Sequence, residues 1–152
     1  MKFLILNGPN LNMLGIREPQ HYGTQSYQDL IALVERHAAQ RNVQLVCRQS
    51  NHEGVLVDEI QQALGVFDGI VLNPGAYTHT SVALLDALRA VRIPTVEVHI
   101  SDVNTREPFR SVSYVRAACL TCICGHGLAG YTEAIDLLLQ HLTGSAVGAS
   151  CE

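Results

Sequence analysis

The feature that most constrains this chain is an alternation, repeated along its length, of short apolar runs with longer amphipathic stretches. Residues 2–6, 43–47, 69–72, 95–100 and 119–124 are brief and rich in Val, Ile, Leu and Cys, as strands buried on both faces are. Between and after them, stretches at about 27–41, 54–64, 81–91 and 128–142 place apolar residues three and four apart, the spacing of one helix face. Strand, helix, strand with short connections requires crossovers, and crossovers are right-handed. A parallel sheet covered by helices on both sides follows.

Five strands predict an α/β, flavodoxin-like three-layer sandwich with a parallel sheet in the order 2-1-3-4-5. In such sheets ligands occupy the crevice beyond the carboxyl ends of the strands. The segments that matter for chemistry are therefore 7–25, 48–54, 73–81 and 99–112. A chain of 152 residues with 47% hydrophobic and 16% charged residues has the material for one core, which predicts a single catalytic domain over 1–142 and a small-residue, frayed tail over 143–152. A net charge of -4 without a Lys/Arg cluster argues against a nucleic-acid or membrane-surface binder, since both need an extended positive field. The opening apolar run breaks at Asn7-Gly8-Pro9 and is too short for a signal peptide, and no run approaches a membrane span. A cytoplasmic protein is expected. The 5 cysteines, scattered in apolar surroundings, read as reduced thiols.

Three loops and one strand end hold the candidate chemistry. In Val96-Glu97-Val98-His99, residues two apart point the same way, so Glu97 can orient His99 as a general acid or base. Asn73-Pro74-Gly75-Ala76-Tyr77-Thr78-His79-Thr80-Ser81 leaves the third strand, turns, and caps a helix with Thr80 or Ser81; Asn73 and His79 would face the crevice, with Asp86 two turns beyond His79. Gly15-Ile16-Arg17-Glu18-Pro19-Gln20-His21-Tyr22-Gly23 reads as a loop able to close over a ligand. A free tyrosine is only about one part in a thousand ionised at pH 7, but a guanidinium nearby lowers its pKa by roughly one to three units, so Arg17 would make Tyr22 a usable base. Arg110 is the better clamp for an anion or hydroxyl; Arg106 reads as an exposed ion-pair partner. Together Arg17, Tyr22, Asn73, His79, His99 and Arg110 describe a site for a compact anion.

Other chemistries lack their residues. Cys119, Cys122 and Cys124 lie in a strand-like run, with Cys119 and Cys122 on opposite faces, and read as packing residues rather than metal ligands. Asn7-Gly8-Pro9-Asn10 has neither a dinucleotide nor a Walker spacing, so no cofactor is expected. Lysine occurs once, at Lys2, which leaves no well-placed amine for a Schiff base.

Taken in order, Leu6-Asn7-Gly8-Pro9-Asn10-Leu11-Asn12, Arg17-Glu18-Pro19 through Tyr22-Gly23, Gln49-Ser50-Asn51-His52-Glu53-Gly54, Asn73 through Ser81, Glu97-Val98-His99-Ile100-Ser101 and Arg106-Glu107-Pro108-Phe109-Arg110 resemble the type II 3-dehydroquinate dehydratases. The resemblance runs from Met1 to about His141. It implies the flavodoxin-like fold, the shikimate pathway, and cofactor-free loss of water from 3-dehydroquinate to give 3-dehydroshikimate. It further implies that Tyr22 removes the C2 proton beside Arg17, that His99, oriented by Glu97, protonates the departing C1 hydroxyl, and that Asn10 helps hold a water against the enolate. Asn73, the Ile100 and Ser101 backbone and the Ser101 hydroxyl would hold the carboxylate; His79, Arg110 and Asp86 would meet the ring hydroxyls. Trimers assembled into a homododecamer are typical of the family, with the aspartate at the Asp86 position reaching a neighbouring site. Gln25-Ser26, the segment 102–105 and the cysteine-rich last strand depart from the commoner family residues. Two other readings keep the same crevice: a flavin- or phosphate-binding module without catalysis, and a lyase or hydratase acting on a related hydroxy acid.

Overall fold

The computed structural model describes residues 1–16, 25–102 and 107–144. Five strands, β1 (Lys2–Asn7), β2 (Gln44–Gln49), β3 (Gly69–Asn73), β4 (Thr95–His99) and β5 (Thr121–Cys124), form one sheet in the order β2-β1-β3-β4-β5, with every pairing parallel. This is the order expected from the alternation. Four α-helices, α1 (Tyr27–Gln40), α2 (Glu53–Gln62), α3 (Val82–Val91) and α4 (Ala129–Thr143), cover the sheet.

Alternation along each strand divides the core into two layers. Phe3 and Ile5 of β1, with Val71, Val96, Val98 and Ile123, pack against Leu30, Val34 and Ala38 of α1 and Tyr131, Ile135 and Leu138 of α4. Leu4 and Leu6, with Ile70 and Leu72, pack on the other face against Leu56 and Ile60 of α2 and Leu84, Leu88 and Val91 of α3. Each buried Leu or Ile contributes about 1.5–3 kcal/mol, which is why the apolar spacing decides the element type.

The helix ends follow local chemistry. Ser26 and Asp29 form a reciprocal capping box, with Asp29 N donating to Ser26 Oγ (3.1 Å) and Ser26 N to Asp29 Oδ2 (2.7 Å). Ser81, rather than Thr80, caps α3 by accepting from Leu84 N at 3.0 Å. The fifth strand starts at Thr121, two residues later than the apolar run, because Cys119 closes a 3-10 turn over Val115–Ala118 by donating its N–H to Arg116. Of the expected tail, only Thr143 and Gly144 are among the described residues.

The register aligns the carboxyl ends: Gln49 and Asn73 flank Asn7, and His99 pairs with Cys124. Beyond this edge the loops after β1 and β3 are pressed together. Gly8 N donates to Asn73 O at 2.7 Å, and a Cβ on Gly8 would lie 2.5 Å from Pro74 O, which only glycine avoids.

Candidate active site

A cavity opens at this carboxyl edge, beyond the ends of β1, β3 and β4. Asn10, Asn73, His79, His99, Ile100, Ser101 and Arg110 all line it, together with apolar surface from Leu11, Met13 and Leu14. Four separate loops or strand ends therefore converge on one space, as the sequence motifs require.

His99 and Glu97 end β4 on one face. His99 Nε2 lies 2.7 Å from Glu97 Oε1, so the ring's other nitrogen, Nδ1, is the one left for the cavity that His99 lines. Glu97 itself has no exposed surface. Four neighbours make its burial tolerable. The Thr78 hydroxyl donates to Oε1 at 2.5 Å, the Ser113 hydroxyl reaches both oxygens (2.9 and 3.2 Å), and Arg116 Nε donates to Oε2 at 3.3 Å. Burial raises the carboxyl, but the hydrogen bond and charge of His99 and the two hydroxyls outweigh it and bring the group from 4.5 down to about 2. Glu97 is consequently an ionised anchor at neutral pH, fixing the ring's orientation and tautomer.

The other lining groups are held from behind. Asn73 Nδ2 donates to the buried Tyr131 hydroxyl (2.8 Å), which donates in turn to Asn7 Oδ1 (2.7 Å), while Gly75 N donates to Asn73 Oδ1 (3.1 Å). The second Nδ2 hydrogen of Asn73 is left as a donor to a ligand. His79 Nδ1 lies 2.6 Å from Val112 O. Arg110 Nε donates to Glu107 Oε2 at 2.7 Å, which turns the planar guanidinium as a fixed fork. Asn10 takes the left-handed conformation, φ 68°, and its N–H donates to Asn51 Oδ1 at 2.9 Å. Gln49 Nε2 also donates to Asn51 Oδ1, at 3.0 Å, so the segment after β2 braces the loop after β1.

One expected residue stands elsewhere. Asp86 is exposed on α3 and does not line the cavity of its own chain. Arg17 and Tyr22 lie outside the described residues, as does Arg106. Sequence reasoning missed Thr78, Ser113, Arg116, Asn7 and Tyr131. Thr78 and Asn7 sit inside motifs already singled out; Ser113, Arg116 and Tyr131 lie in segments with no local signal.

The cysteines separate. Cys119 donates its thiol to Val115 O at 3.3 Å. Cys122 and Cys124, two apart on β5, place their sulfurs 3.2 Å from each other in an open depression lined also by Arg116, Ile123 and His126. Among the described residues, no helix is long and apolar enough to cross a membrane.

Comparison with known proteins agrees with this geometry. The family model described as Dehydroquinase class II matches residues 1–139. A 3-dehydroquinate dehydratase of Synechococcus sp. (strain CC9605) is 53% identical over 146 residues, covering 96% of this chain and all (100%) of that protein. A catabolic 3-dehydroquinase of Verticillium alfalfae is 52% identical, covering 93% and 94% of the two chains. The crystal structure of a type II dehydroquinase from Butyrivibrio crossotus superimposes with a TM-score of 0.90 at 50% identity, covering 91% of this chain and 97% of that one.

Proposed function

This chain belongs to the class II dehydroquinase family and is a 3-dehydroquinate dehydratase, and we propose that its carboxyl-edge cavity eliminates water in the trans sense through an enolate. The observation that carries the mechanism is the buried Glu97–His99 pair, set at the wall of a cavity lined with neutral and cationic donors.

The proton lost lies α to the substrate's ketone, so its removal leaves an enolate whose charge needs donors already in place. In this reading Tyr22, kept ionised by Arg17, takes the C2 proton, and the electron pair moves onto the ketone oxygen. A water held with Asn10 faces that oxygen. The enolate then re-forms the ketone and expels the C1 hydroxyl, which leaves as water with a proton from His99. The product is the conjugated enone, 3-dehydroshikimate. Glu97 serves as a positioning residue, supplying the counter-charge and fixed orientation of the ring. The free Nδ2 hydrogen of Asn73, the Ile100 and Ser101 backbone and the Ser101 hydroxyl hold the carboxylate, while His79 and the Arg110 fork meet the ring hydroxyls. The reaction belongs to the shikimate pathway.

Asp86 completes the site from a neighbouring subunit. Its exposure on α3, outside the lining of its own cavity, supports this placement, and it accords with trimers assembled into a dodecamer.

Adding 3-dehydroquinate to the purified protein and following the enone absorbance tests the reaction, with a parallel sample containing borohydride. Turnover that survives borohydride is expected. Substrate-dependent inactivation would mean an imine route, and no turnover in either sample would remove the assignment.

A further inference from the structure

The mechanism leaves two thiols unused on the strand beside it. Cys122 and Cys124 are the register partners of Glu97 and His99, so edge strand β5 lays its sulfurs along the same pair of residues that orient the proposed acid. One ligand atom each from Glu97, His99 and Cys122 lies within 4.8 Å of the others, and Cys124 Sγ is 3.2 Å from Cys122 Sγ. An imidazole, a carboxylate and one thiol thus converge on a single place, with a second thiol lying against the first.

We propose that Cys122, Cys124, His99 and Glu97 form a binding site for a thiophilic divalent cation, zinc being the best fit, and that its occupation shuts off the dehydratase. Tetrahedral zinc binds sulfur at about 2.3 Å and nitrogen or oxygen at about 2.0–2.2 Å, which puts its ligands roughly 3.3–3.8 Å apart. The His99–Glu97 (2.7 Å) and Cys122–Cys124 (3.2 Å) separations fall short of that range, three donors already lie within 4.8 Å of one another, and Cys124 turns its side chain to join as the fourth. Two sulfur ligands select zinc over magnesium or calcium, which prefer all-oxygen sites. The place already holds a positive charge: Arg116 spans it, with Nε 3.3 Å from Glu97 Oε2 and Nη2 3.3 Å from Cys122 Sγ. Its side chain is 42% exposed, so an ion that replaces its bonds to Glu97 and Cys122 can displace it toward solvent, and the depression beside Cys122 and Cys124 gives an ion its way in.

Binding releases one proton from each thiol and the Nε2 proton of the protonated His99 ring, and leaves two thiolates, one carboxylate and a neutral imidazole around the ion. The cluster has a net charge of about -1, which Arg116 at the rim offsets. Inhibition rests on the assignment of His99 as the acid. A ring metallated at Nε2, the nitrogen turned to Glu97, keeps at most one proton, on Nδ1; giving that up leaves an imidazolate, so the ring no longer protonates a leaving hydroxyl.

The test titrates zinc chloride into the reduced, metal-free enzyme against a chromophoric chelator, and then measures dehydration. One zinc per chain is expected, with a loss in rate of at least about tenfold that chelation reverses. The Cys122→Ser/Cys124→Ser double variant, altered outside the substrate cavity, should keep its basal rate and lose both the binding and the inhibition. Cobalt(II) added to the unaltered enzyme should give a thiolate-to-metal charge-transfer band, which settles the ligands even if the double variant fails to fold. No stoichiometric zinc, no such band, full activity with zinc bound, or equal inhibition of a folded double variant would each overturn the site. Binding and the cobalt band require no turnover; zinc binding without any turnover in the metal-free protein would instead sink the dehydratase reading.

Discussion

Glu97 is ionised in the middle of the protein because four side chains point at it, and its consequences are measurable at the level of one group. Glu97→Gln keeps the shape and most hydrogen-bonding positions but removes the charge opposite His99. We expect kcat to fall by about ten- to a hundredfold with KM little changed, because the substrate itself does not touch Glu97. Steady-state kinetics of the variant check this; a rise in KM alone would contradict a positioning role. The same carboxyl shapes the response to acid. Its pKa is about 2 in the folded chain against an ordinary 4.5, so on acidification the unfolded chain takes up this proton first. The stability Glu97 contributes, on the order of 3 kcal/mol at most, is whole above pH 4.5 and is lost as the pH falls toward 2. Thermal melts across that window should slope less steeply for a folded Glu97→Gln variant than for the parent.

Elements explain how much of this was legible beforehand. Strand and helix order could be read because β1 alternates Phe3 and Ile5 against Leu4 and Leu6, and because α1 buries Leu30, Val34 and Ala38 at four-residue spacing. The Glu97–His99 pair could be read because strand period places them on one face. What period cannot reach is contact across the fold. Ser113 and Arg116 meet Glu97 from a stretch of 3-10 turns without periodicity, and Tyr131 reaches Asn7 across 124 residues of chain. Likewise the convergence of Cys122 and Cys124 with Glu97 and His99 depends on the β4–β5 register, which a residue-by-residue reading of β5 does not contain. At this scale Tyr131→Phe is expected to cost about 1–3 kcal/mol, since it removes the hydroxyl that joins Asn7 to Asn73 and leaves two buried amides short of a partner. Chemical denaturation measures it, and a neutral result would show that the amides repair themselves with water. Gly8→Ala should cost more than Ser26→Ala. The first drives a Cβ to 2.5 Å from Pro74 O between two site loops, whereas the second loses only a helix cap, about 1 kcal/mol, at a residue that does not line the cavity.

For the molecule as a whole, the question is whether one chain holds a complete site. Asp86 is exposed and does not line its own cavity, so a shared site predicts complementation. Unfolding and refolding Asp86→Ala together with His99→Ala should recover activity that neither variant shows alone, because some interfaces then pair an intact His99 with an intact Asp86 from the next subunit. No recovery in mixed oligomers would return Asp86 to its own chain. The central claim is narrower: His99, oriented by Glu97, is the acid for water loss and not the base for C2. Incubating His99→Ala with 3-dehydroquinate in deuterium oxide separates the two steps, by comparing deuterium gained at C2 in recovered substrate with enone formed. We expect exchange to continue while enone formation falls by a factor of about a hundred or more. Equal slowing of exchange and dehydration would contradict the assignment.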